Sequence, residues 1–206
     1  MLQEVKNMAT AVKQDSILFT FDVRPLKMTD KAFYDFCQSN KDFRFEMNRK
    51  GELIIIPPTS IETSNRNSEI NYQLRGWTKK DKTGKCFESD GMFILPSGAK
   101  RAPDASWMLK ERFYALSVED REERFAPVCP DFVIELRSKS DNLRKLQNKM
   151  REYIENGARL GWLIDPYEKR VHVYRGDKTV EVFNNPTTVS GEDVLQGFEL
   201  NLTEIW

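Results

Sequence analysis

The amino-acid sequence predicts an α/β fold in which a mixed central β-sheet is flanked by helices. Three consecutive segments support this prediction: an apolar stretch at 132–136, an amphipathic stretch at 140–155 and a second apolar stretch at 160–164. A strand, a helix and a strand in this order, within about 35 residues, form a βαβ unit. We therefore expect the two strands to be parallel neighbours joined by a right-handed crossover.

The first strand of this unit contains an unexpected charge. Phe132, Val133, Ile134 and Leu136 form a nearly continuous apolar run rich in β-forming residues, which is typical of a strand buried on both faces. Glu135 interrupts that run with a carboxylate. Glu135 is therefore the residue of this strand that requires an explanation.

The amphipathic segment predicts a helix of about four turns. Ser140 or Asp141 is a suitable N-cap, and Asn156-Gly157 provides a stop. The apolar residues expected on its buried side are Leu143, Leu146, Met150, Tyr153 and Ile154.

Length and composition favour one domain. With 206 residues and 39% hydrophobic content, the chain is long enough for a substantial core and too short for two large domains. Residues 1–28 show little periodicity, so we expect an N-terminal arm there and a single domain at 29–206.

The charge balance gives no indication of a nucleic-acid partner and does not rule one out. Thirty-two basic and thirty-two acidic residues cancel, so the chain creates no global positive field. A local basic surface is still available between residues 79 and 101. The residues concentrated there are Lys79, Lys80, Lys82, Lys85, Lys100 and Arg101.

Cysteine usage and hydropathy indicate a cytoplasmic protein. The three cysteines are odd in number and lack a CxxC pair, so neither a disulfide framework nor a zinc site is indicated. The sequence has no apolar run of about 18 residues and no signal-peptide pattern, which argues against membrane insertion and secretion.

The rest of the chain predicts further elements of both kinds. Thr29 or Asp30 can cap a short helix. The stripe formed by Ile70, Leu74 and Trp77 predicts a second helix, which is expected to follow the polar segment 59–67. Short helices are expected within 110–124, and the apolar tail at 192–206 should pack on the core. The expected strands are 43–47 and 52–56 as one hairpin, 85–88, 92–95, 102–108, and 170–174 with 180–183 as a second hairpin.

Two carboxylates in apolar, β-rich surroundings are the first candidates for chemistry. If the strands carrying Asp104 and Glu135 pair, both side chains can converge on one hard cation such as Mg²⁺, which prefers oxygen ligands. Such a cation can activate a water molecule against a phosphodiester. From the pattern alone, an exposed strand face or an ordinary ion pair is equally compatible with either carboxylate.

Two cations nearby can balance the charge that develops on a phosphate, namely Arg137 and Lys149. Arg137 alone also fits a surface charge at the end of a strand, and Lys149 lies on a helix rich in exposed basic residues. His172 lies in an alternating hairpin and is expected to be structural, because a single histidine cannot form a histidine-based metal site.

Several of these segments together carry a resemblance. Arg101-Ala102-Pro103-Asp104, the stretch PDFVIELRS at 130–138, Lys149, and GWLIDP at 161–166 resemble the Uma-type putative restriction endonuclease family. That family is common in cyanobacteria and belongs to the PD-(D/E)xK nuclease superfamily. The resemblance implies a restriction-endonuclease-like core and metal-dependent cleavage of DNA.

The resemblance also implies roles for individual residues. Asp104 would be the first metal-binding aspartate, Glu135 the acidic residue of the (D/E)xK motif, and Lys149 the lysine that this family carries on the following helix. Arg137 occupies the usual lysine position, where it can neutralise phosphate charge but cannot act as a base. Further carboxylates from upstream would be Glu46 and Glu69.

Three hypotheses follow for function. The first is a Mg²⁺- or Mn²⁺-dependent endonuclease that hydrolyses DNA, expected as a homodimer by analogy because a twofold dimer can cut both strands. The second is a catalytically decayed nucleic-acid-binding or assembly protein on the same fold. The third is a hydrolase for a small phosphorylated substrate, which would have a closed pocket and no basic groove.

Overall fold

The computed structural model describes residues 19–206, so most of the N-terminal arm expected at 1–28 lies outside the described residues. No helix within residues 19–206 is long and apolar enough to span a membrane. The elements, in chain order, are β1 (Thr20–Asp22), a 3-10 turn (Arg24–Leu26), α1 (Asp30–Ser39), β2 (Arg44–Met47), β3 (Glu52–Ile56), α2 (Ile61–Asp81), β4 (Gly84–Glu88), β5 (Phe93–Ile94), β6 (Lys100–Arg101), β7 (Ala105–Leu109), α3 (Lys110–Ala115), α4 (Val118–Glu122), β8 (Phe132–Leu136), α5 (Leu143–Glu155), β9 (Leu160–Asp165), β10 (Arg170–Arg175), β11 (Val180–Asn184), β12 (Thr188–Ser190) and β13 (Glu199–Asn201).

The larger sheet has six strands in the order β11-β10-β9-β8-β7-β4. Strands β8 and β9 are parallel, and every other neighbouring pair in this sheet is antiparallel. Helix α5 connects β8 to β9. The predicted mixed sheet and the predicted βαβ unit are therefore both confirmed.

Alternation along β8 divides the core into two layers. Phe132, Ile134 and Leu136 point to the side covered by α2 and the C-terminal tail, where Ile70 and Leu74 pack against them. Val133 lies on the opposite face, which is covered by the apolar side of α5. Because side chains alternate along a strand, Glu135 shares the α5 face with Val133.

A second sheet of five strands has the order β1-β3-β2-β6-β5 and is antiparallel throughout. Its apolar face packs on α1 around Phe33, Phe45, Met47 and Leu53. The expected hairpin of β2 and β3 is confirmed, and Gly51 adopts a φ of 77° in its turn, a conformation that suits glycine. A third, two-stranded sheet, β12-β13, lies in the C-terminal tail.

Several expected boundaries were wrong. Helix α2 begins at Ile61, because the Ser60 side chain accepts a hydrogen bond from the backbone N–H of Thr63 and caps it there. Helix α5 is capped by Asn142 rather than by Ser140 or Asp141. Asp141 instead accepts a hydrogen bond from the backbone N–H of Ser138 at 2.8 Å, which closes the turn before the helix.

The strand expected at 102–108 begins only at Ala105. Pro103 has no N–H to donate to a neighbouring strand, so the segment before it leaves the larger sheet. Lys100 and Arg101 instead form β6 of the smaller sheet. Asp104 therefore stands where the chain passes from one sheet to the other.

Candidate active site

The two carboxylates singled out in the sequence lie side by side. Ala105 of β7 pairs with Ile134 of β8, and continuing this antiparallel register by one residue brings Asp104 opposite Glu135. Asp104 Oδ2 also accepts a hydrogen bond from the backbone N–H of Leu136 at 2.8 Å. Glu135 is buried, whereas Asp104 is partly exposed to a large groove.

Lys149 of α5 reaches the same point. Its Nζ lies 2.8 Å from Oε1 of Glu135 and 2.8 Å from Oε1 of Glu46, which comes from β2 of the smaller sheet. The Tyr153 hydroxyl, one helical turn beyond Lys149, donates a hydrogen bond to Oε1 of Glu135 at 3.0 Å. Lys149 and Tyr153 thus both contact the carboxylate of Glu135, which is the neighbour of Asp104 across the paired strands.

Glu46 is itself held by a buried arginine. Arg101 Nη1 lies 2.9 Å from Oε2 of Glu46, and the same guanidinium binds Glu152 of α5 at 2.6 Å. The backbone N–H of Ala102 donates to Oε1 of Glu46 at 3.1 Å. Charges of alternating sign therefore run without interruption from Glu152 to Glu135 and connect the smaller sheet to α5.

The two glutamates that share Lys149 titrate in opposite directions. Burial disfavours ionisation of Glu46, but Lys149 and Arg101 outweigh it and lower the pKa of this carboxyl to about 2. Burial raises the pKa of Glu135 to about 8; Lys149 opposes that shift, while the carboxylates of Asp104 and Glu46 reinforce it. Glu46 is thus ionised at neutral pH, whereas a cation added beside Glu135 would favour ionisation of that carboxyl.

The pKa values of Asp104 and Lys149 are also displaced. Burial raises the pKa of Asp104, and the hydrogen bond from the backbone of Leu136 counteracts only part of this effect. Burial would lower the pKa of Lys149, but Glu135 and Glu46 more than compensate and raise it. Lys149 therefore remains protonated at neutral pH.

The donor set fits one hard divalent cation. The contacts to Lys149 and Tyr153 both fall on Oε1 of Glu135, so Oε2 is the oxygen available to a ligand. Among residues 19–206, the one hydrogen-bonding group that approaches Oδ1 of Asp104 is the Asn67 amide, at 3.4 Å. No cluster of three His, Cys, Asp or Glu residues suited to a metal occurs within 19–206, but Mg²⁺ typically binds through one or two carboxylates and retains several waters.

The cluster also contains more carboxylates than cationic side chains. It contains four carboxylates and two cationic side chains, so when all are ionised it carries two negative charges in excess, the charge that one divalent ion neutralises. Its members are Glu46, Asp104, Glu135, Glu152, Arg101 and Lys149.

Other candidates from the sequence lie outside this cluster. Arg137 Nη1 binds Oδ2 of the fully buried Asp165 at 2.6 Å, and its guanidinium lies over the ring of Tyr167. Glu69 accepts a hydrogen bond from Gln73 within α2. His172 is buried beside Asp165, and burial lowers its pKa.

Three residues at this site were not foreseen: Arg101 and Glu152, which belong to the cluster, and Tyr153, which contacts it. Glu152 and Tyr153 follow Lys149 at the spacings i+3 and i+4, which place side chains on one face of a helix, so helical periodicity could have drawn attention to them. The only sequence cue for Arg101 is its position three residues before Asp104. Its two partners, Glu46 and Glu152, are 55 and 51 residues away in the chain.

The cluster forms part of the wall of a groove of about 1720 Å³. Outside the cluster, seven basic side chains and four acidic ones line it, so its rim is positive. The basic residues are Lys41, Arg44, Arg49, Lys50, Lys139, Lys145 and Arg151, and the acidic ones are Glu52, Asp90, Asp141 and Glu155.

The basic surface expected between residues 79 and 101 does not contribute to this rim. Lys100 is buried and binds Asp30 at 2.9 Å, and Arg101 belongs to the buried cluster. The four other lysines of that segment are absent from the lining of the groove.

The fold is shared with a protein of known structure. A crystal structure of a protein described as a putative nuclease belonging to DUF820, from Anabaena variabilis ATCC 29413, superposes with a TM-score of 0.67. The two chains are 24% identical, and the similarity covers 78% of this chain and 88% of that one. This likeness establishes the fold, and the expected restriction-endonuclease-like core is confirmed. Comparison with curated proteins gives no match.

The sequence itself matches a family model described as Uma2, putative restriction endonuclease, over residues 30–203. The matched region runs from α1 into the C-terminal tail and includes all six residues of the cluster. Since the match extends over well more than half of the chain, the protein belongs to the Uma2 family of putative restriction endonucleases.

Proposed function

We propose that this protein is an endonuclease that uses Mg²⁺ or Mn²⁺ to hydrolyse phosphodiester bonds in DNA. The observation that carries the proposal is the convergence of Asp104, Glu135 and Lys149 in the wall of a groove with a basic rim. The open groove argues against the alternative of a small phosphorylated substrate, which would require a closed pocket.

The carboxylates would hold the cation and prepare the site for an anionic substrate. Asp104 Oδ1 and Glu135 Oε2 are the oxygens available for coordination. When bound, the divalent ion supplies Lewis acidity toward the phosphate and lowers the pKa of a coordinated water. Tyr153, by donating to Oε1 of Glu135, fixes which oxygen of that carboxylate remains available.

Lys149 would neutralise charge rather than remove a proton. Its pKa is raised, so the amine is already protonated at neutral pH and cannot accept a proton from water. An ammonium group so placed can stabilise negative charge developing on the phosphate or orient a water molecule. In this position it supplies the positive charge that the lysine of the (D/E)xK motif would otherwise contribute.

The substrate would be held by its backbone. The seven basic side chains of the rim are mostly exposed, and phosphate contacts from lysine and arginine supply most of the non-specific affinity for DNA. Because the chain has no net charge, this attraction is local to the groove. We further propose that the protein acts as a homodimer in the cytoplasm, since two sites related by a twofold axis can cut both strands of a duplex.

The decisive experiment is cleavage of supercoiled plasmid and of single-stranded DNA with Mg²⁺ or Mn²⁺. We expect the wild type to cut, and Glu135→Gln, Asp104→Asn and Lys149→Met each to lose at least about a hundredfold in rate, because each removes charge stabilisation of the reacting phosphate. Glu168→Gln removes an exposed carboxylate outside the groove and is the matched control, expected to cut like the wild type.

Folding of each variant is checked by circular dichroism before rates are compared. DNA binding by the wild type without cleavage in either metal would contradict the proposal and favour the non-catalytic binding protein. Cleavage that persists in the Glu135 and Asp104 variants would place the chemistry elsewhere.

A further inference from the structure

Helix α2 brings a third polar group to the paired carboxylates. Asn67 lies beside Asp104 in the wall of the groove, and Asn71 follows one helical turn later. The Asn71 amide donates to the backbone oxygen of Asn67 at 2.9 Å and to that of Asp104 at 3.1 Å. Asn71 thus fixes α2 against the segment that carries Asp104, and Asn67 is held at a defined position.

The hydrogen bonding of the Asn67 amide is incomplete. Its Nδ2 approaches Oδ1 of Asp104 at 3.4 Å, which is long for a hydrogen bond to a carboxylate. Its Oδ1 is buried and has no donor among residues 19–206. A buried carbonyl oxygen without a donor is unfavourable, and most such atoms in proteins have a partner.

A cation bound to Asp104 would change which end of the amide is preferred beside that carboxylate. In the present orientation the amide nitrogen would face a positive charge, whereas the amide oxygen is a ligand that hard cations prefer. The terminal torsion of asparagine has two broad minima about half a turn apart, so the side chain can exchange the two atoms without moving the helix. The neutral amide also adds no negative charge to a cluster whose excess already matches one divalent ion.

We propose that Asn67 is the third oxygen ligand of the divalent cation, next to Asp104 Oδ1 and Glu135 Oε2. This inference rests on the metal site of the proposed function. Helix α2 packs on the core through Ile70 and Leu74, and this inference gives it a direct part in metal binding as well.

The test is calorimetric titration of the metal-free protein with Mn²⁺, without DNA. Asn67→Ala and Asn67→Asp both remove the N–H donor to Asp104, but only the aspartate keeps an oxygen in place. We expect Asn67→Ala to weaken Mn²⁺ binding about tenfold or more and Asn67→Asp to bind at least as tightly as the wild type. Asn65→Ala changes an exposed asparagine of the same helix and is expected to leave Mn²⁺ binding unchanged.

Thermal unfolding with and without Mn²⁺ reports the same effect independently, since a ligand that binds the folded state raises Tm. The shift should be smaller in Asn67→Ala than in the wild type and retained in Asn67→Asp. Wild-type affinity in Asn67→Ala, or equal weakening in both Asn67 variants, would overturn the inference and leave the proposed nuclease intact. Absence of Mn²⁺ binding by the wild type would overturn the metal-dependent function itself.

Discussion

At Glu135, burial favours the protonated carboxyl while the neighbouring Lys149 favours the ionised one. Its pKa is raised to about 8 by burial and by the neighbouring carboxylates of Asp104 and Glu46, against the pull of Lys149. Below that pH the folded protein holds a proton on this carboxyl, and a metal ion must displace it.

Mn²⁺ affinity should therefore rise with pH between about 6 and 8, by up to about tenfold per pH unit, and level off above. Calorimetry at several pH values measures this slope. In Glu135→Gln the amide does not titrate, so the residual affinity should lose most of its pH dependence. An affinity that is flat from pH 6 to 8 in the wild type would show that Glu135 is already ionised or is not a ligand.

For single residues, the sequence predicted site candidates where a side chain differs in character from its neighbours. Asp104 and Glu135 are carboxylates in apolar surroundings, and the structure places them opposite each other. Arg101 could not be assigned, because what distinguishes it is a pair of buried partners far away in the chain, whereas Glu152 could have been noticed only through its helical spacing from Lys149. Arg137 was an equally plausible cation by position, yet the fold commits it to the buried Asp165.

At the scale of secondary structure, sequence patterns predicted the elements that pair with segments close by in the chain. The βαβ unit and the hairpins β2–β3 and β10–β11 follow from periodicity and turn residues over short stretches. The polar start of α2 has no apolar periodicity and is defined by its cap at Ser60, so the apolar stripe could not locate it.

Strand β4 shows a constraint that its sequence does not reveal. A Cβ atom at Gly84 would lie 2.1 Å from Cε2 of Trp107, a rigid ring that is fully buried against Trp77. Gly84→Ala should therefore destabilise the protein by about 1–3 kcal/mol, the usual range for overpacking.

Gly76→Ala provides the matched comparison. Gly76 lies inside α2 with no atom within 4 Å of an added Cβ, so alanine should stabilise the protein by about 0.5–1 kcal/mol. Urea denaturation gives both free energies of unfolding. Equal stabilities for Gly84→Ala and the wild type would show that β4 can move away from Trp107 without loss.

At the scale of the whole molecule, the sequence predicted the class of the fold but not its division into several sheets. The smaller sheet depends on short pairings, such as that of Met47 with Lys100, between strands far apart in the chain. No local pattern specifies such a pairing. The groove and its basic rim arise only from this arrangement of the sheets. For that reason the lysines concentrated between residues 79 and 101 did not predict where the basic rim lies.

The oligomeric state is a property of the same scale. If the protein cuts both strands through twofold symmetry, light scattering should give twice the mass of one chain, and linear plasmid should appear early in the digestion. A monomer that only nicks plasmid would contradict the proposed homodimer while leaving the chemistry of the single site in place.

The ion pair between Lys149 and Glu46 also bears on how the protein folds. It joins residues 103 positions apart, and it connects the smaller sheet to the helix between β8 and β9. Contacts of such long range form late, because the entropy of closing a large loop must be overcome first. During synthesis, Arg101 emerges before α5 and can compensate the charge of Glu46 first, whereas Lys149 can join the pair only after α5 has been made. The lysine of the proposed active site is therefore the last of these three charges to become available as the chain is synthesised.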